Sequence, residues 1–191
     1  MPLTLSENTL IDRAIEVAVK AHADQFRKGT DLPYITHPLC VGMILARAGC
    51  FEEVVAAGIL HDVAEDTSLT PEDISREFGQ VVASIVKGCS EPNKSSPWEE
   101  RKRHSIASLK RAPLEVRLVV CADKLHNVRT MTSEHRRVGD ALWSRFKRGR
   151  EGQAWYYHEM VKALRRKSEN RICKPLWRQL KKEVEQLFGK Q

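Results

Sequence analysis

The chain has 191 residues, of which 41% are hydrophobic, and this suits one globular domain with its own core. Lysine and arginine (32) outnumber the acidic residues (25), so the net charge of +7 favours a nucleotide, nucleic acid or anionic lipid as partner. The chain shows no signal-peptide pattern and no run of about 18 apolar residues, which argues against export and membrane spanning. Five cysteines without a Cys-x-x-Cys pair indicate neither a disulfide framework nor a cysteine zinc site. We therefore expect a reduced, cytoplasmic setting.

The first two predicted helices lie before residue 50. The first has apolar residues at intervals of three and four and is expected to end near Phe26. After a loop, Thr36 or His37 can cap the second helix, and Pro38 suits its first turn. Gly49 is expected to end that helix. The pattern therefore places His37 at the mouth of a helix.

The third predicted helix runs from Glu52 to Asp66 and is apolar over most of its length. In such a buried helix an unpaired carboxylate is costly unless a cation compensates its charge. Thr70 is expected to cap a fourth helix with Pro71 in its first turn. Gly79 is expected to separate the fourth helix from the apolar residues that follow it.

The second half of the chain is also predicted to be helical. Residues 98–111 are charged with a helical pattern, and the next helix carries a buried stripe that includes Leu118 and Leu125. Further helices are predicted around residues 141–143 and 155–157, and a last basic helix over residues 175–188. We find no alternating strand and no internal repeat, so the predicted fold class is all-α.

One imidazole and three carboxylates are concentrated in less than two turns of the third predicted helix. These residues are His61, Asp62, Glu65 and Asp66. On one continuous helix they form two i,i+4 pairs and project over a limited arc of its surface. The spacing therefore permits a shared site.

A metal ion held by His61 and Asp62 alone would lack ligands, so further ligands are expected from other helices. His37 and Asp123 are the candidates, because each is polar where the apolar pattern of its helix predicts a core residue. Taken singly, such residues are more typical of satisfied core or capping positions. Their joint placement on apolar helices favours a metal centre.

Four ordered stretches of the chain resemble the HD-domain hydrolases of the RelA/SpoT homologue family, specifically the small alarmone hydrolases. They read HADQFRK (22–28), PYITHP (33–38), LHDVAEDT (60–67) and ADKLHNVRT (122–130). The resemblance implies a single HD-domain helical bundle of about nine to ten helices over residues 1–191. It also implies a hydrolase-only protein, because this length leaves no room for the synthetase or regulatory domains of long family members.

The resemblance also implies a role for each matching residue. One manganese ion is held by His37, His61, Asp62 and Asp123. Glu65 and Asp66 act jointly as the acid/base pair beside it, and the substrate contacts are Arg27, Lys28, Asn127 and Thr130. The four implied metal ligands coincide with the residues that the pattern alone selected. A mixed set of imidazoles and carboxylates suits iron or zinc as well as manganese.

The family's reaction removes the 3′-diphosphate from guanosine tetra- or pentaphosphate and gives pyrophosphate and GDP or GTP. The resemblance therefore predicts a metal-dependent nucleoside 3′-pyrophosphohydrolase whose partner is a purine nucleotide. Many family members have a serine after the Arg-Lys pair, whereas this chain has Gly29. This departure leaves open an adenosine 3′-diphosphate, or the 2′-phosphate of NADPH, as the substrate.

A hypothesis from another class is a basic binding module in which the HD site is only structural. The basic runs at residues 100–104 and 165–167 suggest nucleic acid as its partner, but both are more typical of solvated helical faces. The complete ligand set, together with Glu65 and Asp66, argues against an inactive site. Trp155 and Tyr156 are more typical of a core than of a nucleotide cleft, and we leave them outside the predicted site.

Overall fold

The computed structural model describes residues 9–91, 95–165 and 171–190. Over these ranges the chain forms nine α-helices and one 3₁₀ helix, and the single isolated β-bridge pairs Phe26 with Pro33. The α-helices are α1 (Leu10–Ala21), α2 (Thr36–Arg47), α3 (Glu52–Leu60), α4 (Val63–Asp66), α5 (Pro71–Cys89), α6 (Trp98–Leu109), α7 (Leu114–Val138), α8 (Gly149–Leu164) and α9 (Cys173–Phe188), and the 3₁₀ helix is Gly139–Arg145. The prediction of an all-α fold is confirmed.

Among the described helices, none combines the length and the apolarity needed to cross a membrane. The described cysteines form no disulfide bond with one another. The second basic run of the sequence spans residues 165–167. Residues 166 and 167 lie outside the described residues, so the structure describes only Arg165 of this run.

Helix α3 is the central helix of the core. Every residue from Val54 to Leu60 is buried, and the helix packs against α1, α2, α5 and α7. A helix that is apolar on all sides can be accommodated only in the interior of a domain. The C-terminal end of α3, where the predicted metal ligands begin, is therefore enclosed by other helices.

Two glycines allow α2 and α3 to approach each other closely. A Cβ atom at Gly58 would overlap with the Cδ1 atom of Leu45, and a Cβ atom at Gly42 would lie 2.5 Å from Cγ1 of Ile59. The absence of a side chain at these positions permits the contact between the two helices. This crossing fixes the relative position of the two histidines that α2 and α3 bring to the predicted site.

Two predicted features of the first helices are wrong. Helix α1 ends at Ala21 and not near Phe26, because His22 has non-helical backbone angles and Phe26, which is 58% exposed, pairs with Pro33 in the loop. Helix α2 has no side-chain cap, because the hydroxyl of Thr36 donates a hydrogen bond to the carbonyl of Pro33.

The predicted boundaries of the fourth helix are closer to the structure. Thr70 caps α5 in a capping box with Asp73, and Pro71 lies in the first turn. Gly79 adopts a left-handed backbone (φ 85°) and kinks α5 at the predicted point of separation. The left-handed backbone of Gly49 (φ 80°) follows the end of α2, also as predicted.

Candidate metal centre

The helix that was predicted over residues 52–66 is broken at the candidate site. Helix α3 ends at Leu60, His61 and Asp62 form a turn, and α4 begins at Val63. The Nδ1–H group of His61 donates to the carbonyl of Gly58 (2.8 Å), which in a continuous α-helix would accept from the amide of Asp62. The i,i+4 geometry of a single helix therefore does not apply, and a junction between two helices presents both side chains.

Three helical segments bring the four candidate ligands together. His37 comes from the first turn of α2, His61 and Asp62 from the junction between α3 and α4, and Asp123 from the middle of α7. The Nε2 atom of His37 lies 3.3 Å from Oδ1 of Asp123 and 3.7 Å from Oδ2 of Asp62. The Nε2 atom of His61 lies 3.0 Å from Oδ2 of Asp62 and 4.0 Å from Oδ1 of Asp123.

The carboxylates of this centre are held by neighbouring side chains. The hydroxyl of Tyr34 donates to Oδ2 of Asp62 (2.6 Å), and the amide of Asn127 donates to Oδ1 of Asp123 (2.5 Å). The ammonium group of Lys124 lies 2.6 Å from the other oxygen of Asp123. Such partners fix the orientation of potential ligands before a metal ion binds.

The imidazoles have partners on their outer side. The Nδ1 atom of His37 lies 2.7 Å from Nδ1 of His126, so one of the two rings donates to the other. His61 bonds to the carbonyl of Gly58 through Nδ1, as described above. The rings of His37 and His61 therefore both direct Nε2 towards the carboxylates of Asp62 and Asp123.

The charged groups of the centre shift the pKa of its carboxylates in the direction opposite to the effect of burial. Burial alone would raise the pKa of Asp123, but the ammonium group of Lys124 and the two imidazoles hold it well below its ordinary value. Burial would likewise raise the pKa of Asp62, and the imidazole of His61 lowers it. Burial lowers the pKa of His37. Ionised carboxylates at Asp62 and Asp123 and a neutral imidazole at His37 are the forms that bind a cation.

The surroundings of His61 fit a metal ligand. Its Nε2 atom is buried and, although Oδ2 of Asp62 lies 3.0 Å away, no described residue meets the geometry of a hydrogen bond with it. Burial alone would lower the pKa of His61, but Asp62 and Asp123 outweigh it and raise the pKa to about 9, so a cation would replace a proton here. One atom each from His37, His61 and Asp123 lies within 4.8 Å of the others. The donor set of imidazoles and carboxylates suits manganese, iron or zinc.

The predicted acid/base pair lies on the single turn of α4. Glu65 lines a cleft of about 530 Å³ that contains the candidate metal ligands, and its carboxylate accepts a hydrogen bond from the amide of Glu91 (3.2 Å). Asp66 is exposed and lies outside the cleft lining, and its backbone carbonyl accepts from the side chain of Gln25. Of the pair, only Glu65 is brought into the cleft.

Two of the four predicted substrate contacts lie in the same cleft. Arg27 donates to the side-chain carbonyl of Asn127 (2.9 Å), and both residues line the cleft beside Asp123. Lys28 and Thr130 lie outside its lining. The ammonium group of Lys28 is 5.9 Å from the ring centre of Phe146, and the hydroxyl of Thr130 donates to the carbonyl one turn earlier in α7.

The cleft lining also contains residues that the sequence did not assign to the site. Arg101 and Lys102 were predicted to lie on a solvated face, but their side chains are only 23% and 18% exposed, and both pair with the carboxylate of Glu91. Tyr156 was predicted to belong to the core; it is buried but also lines the cleft, with the ammonium group of Lys102 5.0 Å from its ring centre.

The orienting residues Tyr34, Lys124 and His126 were also not assigned to the site. All three lie inside the stretches that resemble the RelA/SpoT homologues, within three residues of a candidate ligand. Their closeness in sequence to a candidate ligand, within these stretches, could have identified them as site residues.

Comparison with known proteins agrees with this geometry. The family model described as HD domain matches residues 14–154. The guanosine-3′,5′-bis(diphosphate) 3′-pyrophosphohydrolase MESH1 of Xenopus tropicalis is 37% identical over 163 residues, which cover 84% of this chain and 87% of that protein. The GTP pyrophosphokinase of Streptomyces coelicolor is 42% identical over 125 residues, which cover 63% of this chain. The chain spans only 14% of the length of that long relative.

A solved structure supports the same kinship. A metazoan orthologue of SpoT that hydrolyses ppGpp is 27% identical to this chain and matches it with a TM-score of 0.79. The match covers 96% of this chain and 98% of the orthologue. These comparisons confirm the predicted relationship to the RelA/SpoT homologues, and the chain belongs to the HD-domain family.

Proposed function

We propose that the protein is a metal-dependent nucleoside 3′-pyrophosphohydrolase that removes the 3′-diphosphate of guanosine tetra- or pentaphosphate. The observation that carries the proposal is the convergence of His37, His61 and Asp123 in a cleft that Arg27 and Arg101 also line. The activity of the Xenopus relative and of the metazoan SpoT orthologue, each similar over most of its length, supports it.

We assign the metal ligands to His37, His61, Asp62 and Asp123, and we propose manganese as the ion. Iron and zinc accept the same donor types. A cation bound there would act as a Lewis acid towards a phosphate oxygen and would lower the pKa of a water molecule. Tyr34 and Asn127 hold the two carboxylates in position for this role.

Glu65 and Asp66 act jointly as the acid/base pair. A water molecule attacks the phosphorus atom bonded to the ribose 3′ oxygen, and one of the two carboxylates accepts its proton. The bond between phosphorus and the 3′ oxygen breaks, so the 3′ oxygen is the leaving group and the attacked diphosphate is released as pyrophosphate. The acid/base pair delivers a proton to the 3′ oxygen, which becomes the hydroxyl group of GDP or GTP. Because Glu65 lines the cleft, it is the nearer of the two to the reacting groups.

The proposed substrate contacts follow from the side chains in the cleft. The planar guanidinium of Arg27 can stack on a base or bind a phosphate with two hydrogen bonds, and Asn127 holds it in place. Lys28 and Thr130 are assigned to parts of the sugar and phosphates that extend beyond the cleft lining. Arg101 and Lys102 add positive charge to the cleft lining.

The direct test is release of pyrophosphate from guanosine tetraphosphate by the purified protein with manganese. His61→Ala and Asp62→Ala are each expected to abolish it, because each removes a proposed ligand. His135→Ala is the matched control, since this imidazole contacts Asp140 near the surface. Full turnover in both ligand variants would refute the metal-centred mechanism.

One observation supports the alternative substrates, which are an adenosine 3′-diphosphate and the 2′-phosphate of NADPH. Gly29 has a left-handed backbone (φ 72°), and a Cβ atom there would lie 3.1 Å from the side chain of Arg145. The hydroxyl that many family members have at this position is absent, and a guanidinium borders its place. Parallel assays with the adenosine tetraphosphate and with NADPH would identify the preferred substrate. Preferential hydrolysis of either would replace the guanosine assignment and leave the metal mechanism intact.

A further inference from the structure

A second groove lies away from the metal centre, between the end of α2, the middle of α7 and the first half of α9. Its volume is about 800 Å³, which lies within the range of small-molecule sites. Its charged lining residues are Arg47, Arg129, Arg171, Arg178, Lys182 and Glu183. Among the described residues, five cations therefore share the groove with one carboxylate.

The one carboxylate of the groove is already engaged. Glu183 lies 3.4 Å from the guanidinium of Arg129. The other four cations form no ion pair with any residue that the structure describes. Like charges that converge without counter-ions create a positive potential that favours an anionic ligand.

The first turn of α9 contributes to the same potential. Ile172, Pro175 and Leu176 line the groove, so the N-terminal end of a 16-residue helix borders it. This turn contains no acidic residue. The positive end of the helix dipole therefore adds to the charge of the arginines.

The composition of the lining indicates which part of a ligand it would recognise. Among the described residues, no aromatic side chain lines the groove, so it lacks the aromatic surface on which nucleobases most often stack. Arginine guanidinium groups instead match the geometry of phosphate oxygens and form paired hydrogen bonds with them. The lining therefore suits a chain of phosphates and not a base.

We propose that this groove binds a small polyphosphorylated anion at a site separate from the metal centre. Helix α2 carries His37 in its first turn and Arg47 at its end, so the two sites lie about 15 Å apart along this helix. The proposal goes beyond the hydrolytic function and does not depend on it. A nucleoside polyphosphate and inorganic polyphosphate share the required chemistry.

The experiment is isothermal titration calorimetry of the full chain with tripolyphosphate and, separately, with ATP. The double variant Arg178→Ala/Lys182→Ala is expected to lose about tenfold or more in affinity for both probes. The matched control is Lys174→Ala/Lys181→Ala, which removes two exposed lysines from the same helix but outside the groove lining. The control is expected to retain the affinity of the unmodified protein. Binding of either probe at the metal centre is expected to be the same in both double variants, so it does not contribute to the difference between their affinities.

Three results would overturn the proposal. Equal losses in the two double variants would show that binding follows net charge and not the groove. Binding of ATP without binding of tripolyphosphate would show that a base, and not the phosphate chain, is recognised. Tighter binding of a DNA duplex, with the same dependence on Arg178 and Lys182, would assign the surface to nucleic acid. Backbone amide shifts on titration with tripolyphosphate, centred on α9 and Arg47, would locate the ligand in the groove.

Discussion

The backbone amide of Glu91 donates a hydrogen bond to the carboxylate of Glu65, with 3.2 Å between N and Oε2. The side chain of Glu91 accepts from Arg101 (2.7 Å) and Lys102 (2.5 Å) on α6. Glu91, two residues after the end of α5, thus links the proposed acid/base residue on α4 to two cations of α6 that line the same cleft. Glu91 is a positioning residue for Glu65.

Glu91→Gln is expected to lower the free energy of unfolding by about 2 kcal/mol at pH 7, because two charge-assisted hydrogen bonds lose their anion. Thermal or urea unfolding measures this change. Glu99→Gln is the matched control, since Glu99 pairs with Arg148 at the surface, where ion pairs contribute little. An equal loss of stability in both variants would contradict the special role of Glu91.

The loss of unfolding free energy in Glu91→Gln is expected to depend on pH. Burial alone would raise the pKa of Glu91, but Lys102 and Arg101 lower it below its ordinary value of 4.5. A lowered pKa in the folded state adds stability above pH 4.5, and this contribution is lost as the pH falls through the folded-state value. The difference in unfolding free energy between the unmodified protein and Glu91→Gln should therefore shrink below pH 4.5. A difference that stays constant to lower pH would show that Glu91 does not act through its charge.

Tyr34→Phe is expected to weaken metal binding by about tenfold or more, because Asp62 loses the hydroxyl that orients it. Calorimetric titration with manganese measures the affinity. Tyr157→Phe removes the same atom from a buried tyrosine outside the cleft lining, and its affinity should not change. Unchanged binding in Tyr34→Phe would show that Asp62 does not need this partner.

Lys124→Met is expected to destabilise the metal-free protein by about 3 kcal/mol, because the carboxylate of Asp123 remains buried without its ammonium partner. Urea unfolding measures the loss. Lys162→Met removes an exposed lysine that pairs with Glu159 on α8, and its effect should stay below about 1 kcal/mol. If the two variants were equally stable, the contact between Lys124 and Asp123 would contribute no more than a surface pair.

Gly58→Ala is expected to cost about 1–3 kcal/mol, because the new methyl group overlaps with Leu45 in the contact between α2 and α3. Leu45→Ala alone should cost about 2–5 kcal/mol, since Leu45 is fully buried. The double variant should cost less than the sum, because the second change removes the overlapping atoms. Additive costs, measured by urea unfolding, would indicate that the helices move apart instead.

The parts of the fold that the sequence predicted well depend on local interactions. Thr70 and Asp73 form their capping box within four residues, so the start of α5 can be recognised from the sequence alone. The candidate ligands were found because each polar residue interrupts an apolar pattern. His37 and Asp123 are 86 residues apart in the chain, yet the pattern identified both.

The parts that the sequence did not predict depend on contacts between elements. The break after Leu60 accompanies a hydrogen bond of the His61 ring to a carbonyl within its own helix, which periodicity does not reveal. Arg101 and Lys102 were assigned to solvent because Glu91, their partner, lies in a loop and not on the same helical face. Tyr156 combines a buried ring with a position in the cleft, and the apolar pattern detects only the first of these.

The junction between α3 and α4 also limits which insertions and deletions the chain can accept. Each residue of an α-helix rotates the chain by about 100°, so deletion of one residue from α3 would turn His61 away from His37 and Asp123. The nine-residue length of α3 therefore matters for the candidate metal centre as well as for the core. A residue added to the loop between α6 and α7 does not rotate His61 relative to α3. Length variation is therefore expected in that loop and not in α3.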